Sequence, residues 1–347
     1  MVDFTVAIPT YNGAQRLPQL LEKLRQQTGT EHFSWNILVV DNNSSDHTAE
    51  LVKGYKTEGS KESSDENLAA IAINYAFEPQ QGAAFARVKA MAIATSQWAS
   101  KWVGFLDDDV IPDSNWVAAA YAFGESHPKA GAYGGQIHGA FEVEPPENFS
   151  RIQSFLAIRE RGAKAQRYDP NSLSLPPSAA WVIRAQAWHE NVSSSPKLGG
   201  RAHGSMVQGD DYEPLLHLHK ANWEIWYAPH MHVHHQIPKS RLERSYLMPL
   251  SRGCGLCICQ LRMINAESWQ RPIIWLKLVL SNLCRVISHG LKYRTQLNDD
   301  LVAACEMEFF LGSLISPFYY LKQQLPRKII LQTPDEAAPV PQNASPS

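Results

Sequence analysis

Phe105-Leu106-Asp107-Asp108-Asp109-Val110 is an apolar run that ends in three adjacent carboxylates. With Trp102 and Val103 before it, the run reads as a buried β-strand that stops at the acids. Like charges at such an exit repel one another by on the order of a few kcal/mol, so a cation or hydrogen bonds must compensate. The triplet therefore either meets a metal ion or forms a solvated acidic turn before a helix starting near Asn115-Trp116-Val117, where acids are favoured. On an extended chain Asp107 and Asp109 point to one side and Asp108 to the other. That geometry makes the outer two a working pair and leaves Asp108 to structure.

Outward from this stretch, apolar runs alternate with helical patterns. Strands are predicted over 4–8, 35–40, 69–74 and 101–106, with crossover helices over 17–27, 46–55 and 82–98. The fold class is α/β, a Rossmann-like α/β/α sandwich with a mostly parallel central sheet. In such sheets the ligand crevice lies beyond the carboxyl ends of the strands. Here those ends carry Pro9-Thr10-Tyr11-Asn12, Asp41-Asn42-Asn43-Ser44-Ser45-Asp46 and the Asp triplet. Residues 58–67 read as a polar loop or ragged helix end, and 131–201, rich in Gly, Pro and Ser, as long loops over the sheet rim suited to carrying specificity. A strand is expected over 223–228 and helices from there to about 322. The division is 1–240 for a catalytic domain, 241–330 for a helical extension that contacts membrane or a second copy, and 331–347 for a disordered tail.

Composition narrows the partners. The 347 residues are 44% hydrophobic and 19% charged, ample for a large core, and a net charge of -2 gives no footing for nucleic acid. The first residues show no basic segment followed by an apolar one, so the cytoplasm is the expected compartment. Five cysteines fit a reduced environment, and Cys254, Cys257 and Cys259 lack a fourth zinc ligand at suitable spacing. No 18-residue stretch is uninterruptedly apolar, which argues against a membrane-spanning helix. Ile273 to Leu280 and Phe309 to Tyr320, flanked by Lys or Arg, read instead as interfacial helices or as helices packed on the catalytic domain or a second subunit.

Two further clusters carry chemistry. Gly209-Asp210-Asp211-Tyr212-Glu213 opens a helical register; one acid serves as a cap, but three exceed that need, and one could act as a general base toward a hydroxyl. His230, His232, His234 and His235 follow, the first three on one face of a strand and His235 on the other. A three-histidine zinc site is geometrically open there, but one histidine joining the Asp triplet at a metal is the preferred reading.

Val6-Ala7-Ile8-Pro9-Thr10-Tyr11-Asn12, Val39 to Asp46, Gly82-Ala83-Ala84-Phe85-Ala86-Arg87, Phe105 to Asp109 and Gly209 to Glu213 occur in the order and spacing of a known family. Over about residues 3–240 the chain resembles the family 2 glycosyltransferases of GT-A fold. The resemblance implies inverting transfer of a sugar from a nucleotide-diphosphate donor, with UDP the commonest carrier, to an acceptor hydroxyl. It implies donor contacts at Pro9, Thr10, Tyr11, Asn12, Asp41, Asn43, Arg87, Asp107 and Asp108. It also implies Mn2+ or Mg2+ near Asp107, Asp109 and His235, and catalysis by Asp211 with Asp210 before it. The family often follows Ala-Arg with Asn, whereas Val88 stands here. The stretch Val233 to Leu242, with Arg252-Gly253 and Gly255, resembles a subset of cyanobacterial polysaccharide glycosyltransferases, including those of hormogonium polysaccharide synthesis. The expected function is extension of a polysaccharide or lipid-linked glycan by a cytoplasmic enzyme, peripheral on the membrane through its last helices. The alternative is a non-catalytic nucleotide-sugar-binding subunit of a polysaccharide synthase complex.

Overall fold

The computed structural model describes residues 1–58, 71–200 and 206–324. The expected tail over 331–347, the start of the strand expected at 69 and most of the loop over 58–67 lie outside them. The chain opens as β1 (Phe4–Thr10), α1 (Leu17–Arg25), β2 (Trp35–Asp41), α2 (Thr48–Glu58), β3 (Ile73–Phe77), α3 (Ala83–Ser96) and β4 (Trp102–Leu106). These are the predicted βαβ units, with β3 beginning later than expected. After the Asp triplet come β5 (Val110–Pro112), α4 (Trp116–Ser126), β6 (Ala130–Phe141), β7 (Gln166–Arg167), β8 (Ala180–Arg184), α5 (Ala185–Asn191), α6 (Tyr212–Lys220) and β9 (Glu224–Ile237). The helical extension is α7 (Arg244–Leu256), α8 (Ile258–Ile264), α9 (Gln270–Tyr293) and α10 (Leu301–Gln324).

The sheet runs β3-β2-β1-β4-β8-β6-β9-β5, with β7 beside β9. The first four strands are parallel to one another, and β6 and β9 are also mutually parallel, while β8, β5 and β7 run against their neighbours. β1 and β4 are covered on both faces, which is why they read as unbroken apolar runs. In α1, Leu17, Leu20, Leu21 and Leu24 recur at helical spacing and bury one stripe against the sheet. One core on that face centres on Phe4, Trp102 and Trp116, and a second on the other face holds Leu38, Phe105 and Trp181. Chain order makes β1 and β4 neighbours: β2 and β3 extend the sheet on one side, and α3 carries the chain back to the other. The exits of β1 and β4 therefore flank a topological switch point, where a crevice opens in folds of this kind.

β9 is far longer than the strand expected over 223–228, because its second half pairs with both β6 and β5. His230 and His234 are exposed and His235 is buried, as the alternation required. Among the described residues no three His, Cys, Asp or Glu side chains converge as a metal-holding group, the zinc alternatives included, and no disulfide joins any of the five cysteines.

The extension is docked rather than loosely appended. Cβ atoms on Gly312 and Gly255 would lie 2.4 Å from Arg252 O and Phe309 O, so only glycine lets α7 and α10 approach so closely. By length and composition the segments Gln270–Asn298 and Leu301–Gln324 are apolar enough to cross a membrane, contrary to the expectation from unbroken runs. The reason is that isolated Lys, Arg and Glu residues interrupt the sequence without much lowering its average hydropathy.

Candidate active site

The Asp triplet is not extended. Val110 N–H donates to Asp107 O at 3.1 Å, closing a turn over 107–110, so the side chains do not alternate as on a strand. All three carboxylates border one crevice of about 750 Å³ together with Pro9, Thr10, Tyr11 and Arg87. Asp108 accepts a bidentate pair from Arg16, Nε to Oδ1 at 2.8 Å and Nη2 to Oδ2 at 2.9 Å, and a further bond from Thr10 Oγ1. That fork fixes the turn against the start of α1. Gly13 makes the approach feasible, since a Cβ there would lie 2.0 Å from Thr10 Oγ1 and 2.8 Å from Asp108 Oδ2. Gly13→Ala is expected to cost about 1–3 kcal/mol by overpacking, read as a lowered urea midpoint. An unchanged midpoint would mean that Thr10 turns aside freely.

Asp109 lies where β5 pairs with β9, whose register sets Val110 opposite His235. Arg241 Nη2 donates to Asp109 Oδ2 at 2.6 Å, and His235 Nε2 stands 3.6 Å from Asp109 Oδ1. Burial opposes ionisation of Asp109, but the His235 ring and the Arg241 guanidinium outweigh it and hold the carboxyl well below the usual range. Leu156 O can only accept, so His235 Nδ1, 2.9 Å away, carries the ring proton. Nε2 faces Arg241 Nη1 at 2.9 Å and Asp109 Oδ1 at 3.6 Å. A backbone carbonyl that orients an imidazole in this way is a usual support for a metal ligand. Asp107 is in the opposite state. Burial and the neighbouring Asp109 and Asp108 raise its pKa despite Arg87 and His235, so its ionised form is disfavoured there. Two carboxylates and one imidazole line this crevice, but among the described residues they do not converge as a ligand group, and Arg241 lies against both Asp109 Oδ2 and His235 Nε2.

Asp210-Asp211, before α6, line the same crevice. Arg87 is buried, with Nη1 donating to Asp210 Oδ2 at 2.7 Å and Nη2 to Ser178 Oγ at 2.7 Å. Its guanidinium is thus engaged with an acid and a hydroxyl. Asp211 is pushed up to about 6 by burial and by Asp210, with Arg87 pulling the other way. It borders both the crevice and a second cavity behind it.

The chain matches the model for Glycosyl transferase family 2 over residues 5–189, more than half of its 347 residues. It belongs to that family. Among solved structures, the mannosyltransferase PcManGT from Pyrobaculum calidifontis, in complex with GDP-Man and Mn2+, is 15% identical, with 92% of this chain and 90% of that one covered and a TM-score of 0.55. S. aureus TarS 1-349 in complex with UDP is 14% identical, with 94% and 93% covered and a TM-score of 0.47. No curated protein matches the chain. The narrower likeness to cyanobacterial enzymes has no counterpart in these comparisons.

Within this glycosyltransferase domain, the residues named from sequence separate into two groups. Pro9, Thr10, Tyr11, Arg87, Asp107, Asp108, Asp109, Asp210, Asp211 and His235 all line the crevice. Asn12, Asp41 and Asn43 are not among its lining residues. Asp41 is 2% exposed and accepts from Ser44 N and Tyr75 Oη, each at 2.9 Å, while Asn12 accepts from Ser45 N at 2.8 Å. Asn12 and Asn43 hold left-handed backbones, φ 50° and 63°, that shape the turns after β1 and β2. Asn42, which the sequence reading did not single out, borders the crevice and accepts from Gly82 N at 2.7 Å. Arg16 and Arg241 were missed as well. Their partners lie 92 and 132 residues away, so only an unpaired-looking cation near a strand exit could have flagged them.

Proposed function

We propose that this chain is an inverting, metal-assisted glycosyltransferase that moves a sugar from a nucleoside-diphosphate donor, UDP-sugar first among them, to a hydroxyl of a polysaccharide or lipid-linked glycan. The observation that carries this reading is one crevice lined by two differently tuned acidic groups. Asp107 and Asp109, with His235, form one, and Asp211, pushed up to about 6, forms the other with Asp210, while the Arg87 charge acts on both. A solved structure of the same fold, PcManGT, holds GDP-Man and Mn2+, which supports a nucleotide sugar and a divalent cation here.

Tyr11, 48% exposed at the rim, offers a ring face for a nucleotide base. Asp109 with Asp107 and His235 would hold Mn2+ or Mg2+, which supplies charge neutralisation for a diphosphate leaving group. Arg241 adds a fixed positive charge beside the same group. Asp211 takes the proton of the acceptor hydroxyl as that oxygen attacks the anomeric carbon from the face opposite the diphosphate. One base is sufficient for such a displacement, and no carboxylate nucleophile is needed. Arg87 acts as a positioning residue: it anchors Asp210 and keeps Asp211 from rising further.

The pH profile tests the role of Asp211. The base works ionised, so kcat/KM is expected to fall about tenfold per pH unit below about 6 and to level off above it. A profile flat from pH 7 to pH 5 would remove Asp211 from the proton transfer. The compartment proposed is the cytoplasm, with the C-terminal helices against the inner face of the membrane.

A further inference from the structure

A second cavity of about 640 Å³ lies behind Asp211, walled by the segment over 154–177 and by α7, α8, α9 and α10. It shares Phe155, Ala157, Pro177, Gln208 and Asp211 with the crevice, so Asp211 stands at the junction of the two. A base must reach the acceptor hydroxyl, whose oxygen must in turn reach the donor in the crevice, so a cavity that joins the crevice at Asp211 is placed for the acceptor.

Its lining is electrostatically one-sided. Arg159, Arg262, Lys277 and Arg285 border it, and Asp211 is the single carboxylate among its described lining residues. None of the four cations is paired with an acid among the described residues. Arg159 donates to Ile158 O at 3.0 Å and Tyr212 Oη at 3.3 Å, Arg262 to Asn171 O at 3.3 Å, and Arg285 to Asn282 Oδ1 at 3.5 Å. Ser313, 2% exposed, borders the same space, and its hydroxyl has no partner among the described residues. Between the cations the wall is apolar, with Leu261, Ile274, Leu278 and Phe309. The helix α9, which supplies Ile274, Lys277, Leu278 and Arg285, contains no acidic residue and leaves Ile273, Leu276, Leu280 and Ile287 exposed along its length. Cations without acids beside apolar walls match a ligand with a phosphate-type anion and a hydrocarbon chain.

We infer that the cavity binds an amphiphilic acceptor, a sugar joined through phosphate to a long apolar chain, with Lys277, Arg285, Arg262 and Arg159 around the anion and the chain leaving along α9. This rests on the glycosyl-transfer reading and narrows its acceptor to lipid-phosphate-linked glycans.

Calorimetric titration of the full chain with farnesyl phosphate, farnesol and inorganic phosphate tests the assignment. Farnesyl phosphate is expected to bind at least about tenfold more tightly than either of the others and to weaken as salt rises. The Lys277→Glu/Arg285→Glu double variant is expected to lose about tenfold or more of that affinity while still binding UDP with manganese. Salt dependence in the unaltered chain keeps the test valid should the variant fold poorly. Equal binding of farnesol and farnesyl phosphate overturns the anion site, and inorganic phosphate binding as tightly as farnesyl phosphate overturns the amphiphile. Because the lipid titration is done without nucleotide, its failure is distinct from failure of UDP and manganese to bind, which counts against the donor reading.

Discussion

Asp211→Asn is expected to lower transfer by about 10²–10⁴-fold while leaving donor affinity within a factor of about two. The substitution keeps the shape and the hydrogen-bonding reach of the side chain but removes its ability to accept the acceptor's proton. Asp109 and His235 are held by a separate network through Arg241 and Leu156. Calorimetry with UDP and manganese, run beside a product assay, separates the two effects. Full activity in the variant would move the base elsewhere, and a parallel loss of donor binding would place Asp211 in the donor site. Asp210→Asn differs in kind, because that acid is already neutralised by Arg87 at 2.7 Å.

Arg87→Met is expected to cost about 3–5 kcal/mol of stability, since it leaves Asp210 as a buried carboxylate without its cation. The denaturant midpoint should fall accordingly. A second consequence concerns catalysis. The Arg87 charge pulls the Asp211 pKa down against burial and against Asp210, so removing it moves the acid limb of the rate profile above about 6. Arg87→Lys, which keeps a charge but cannot reach Asp210 and Ser178 together, should lie between the two. An unaltered midpoint and an unmoved limb in Arg87→Met would show that Asp210 finds another partner.

Much of the framework is legible from residue order. Strands such as β1 and β4, buried on both faces, declare themselves as continuous apolar runs, and α1 as leucines at helical spacing. The crevice follows from polar residues at successive strand exits. What sequence could not give was the local backbone between elements. Asp107 to Asp109 were placed by extended-chain alternation, yet the turn closed by Val110 N–H groups all three around one crevice. Asp41 ends a strand, and its two oxygens accept from Ser44 N and Tyr75 Oη, contacts that residue order does not show. Pairings such as Arg16 with Asp108, Arg87 with Asp210 and Arg241 with Asp109 join residues 92 to 132 positions apart. Charge pattern alone does not connect such distant residues. The extended β9 was underestimated for a similar reason, since two different partners, not local propensity, sustain its second half.

The central claim is that the two acidic groups of the crevice act together on a nucleotide sugar. The most direct measurement is release of nucleoside diphosphate from a panel of labelled nucleotide sugars, with manganese and with a chelator in its place. The account predicts turnover of at least one donor, lost on chelation and restored by manganese. Tight donor binding with no release from any member of the panel, with acceptor lipid phosphate present, would contradict it and identify a nucleotide-sugar-binding subunit instead.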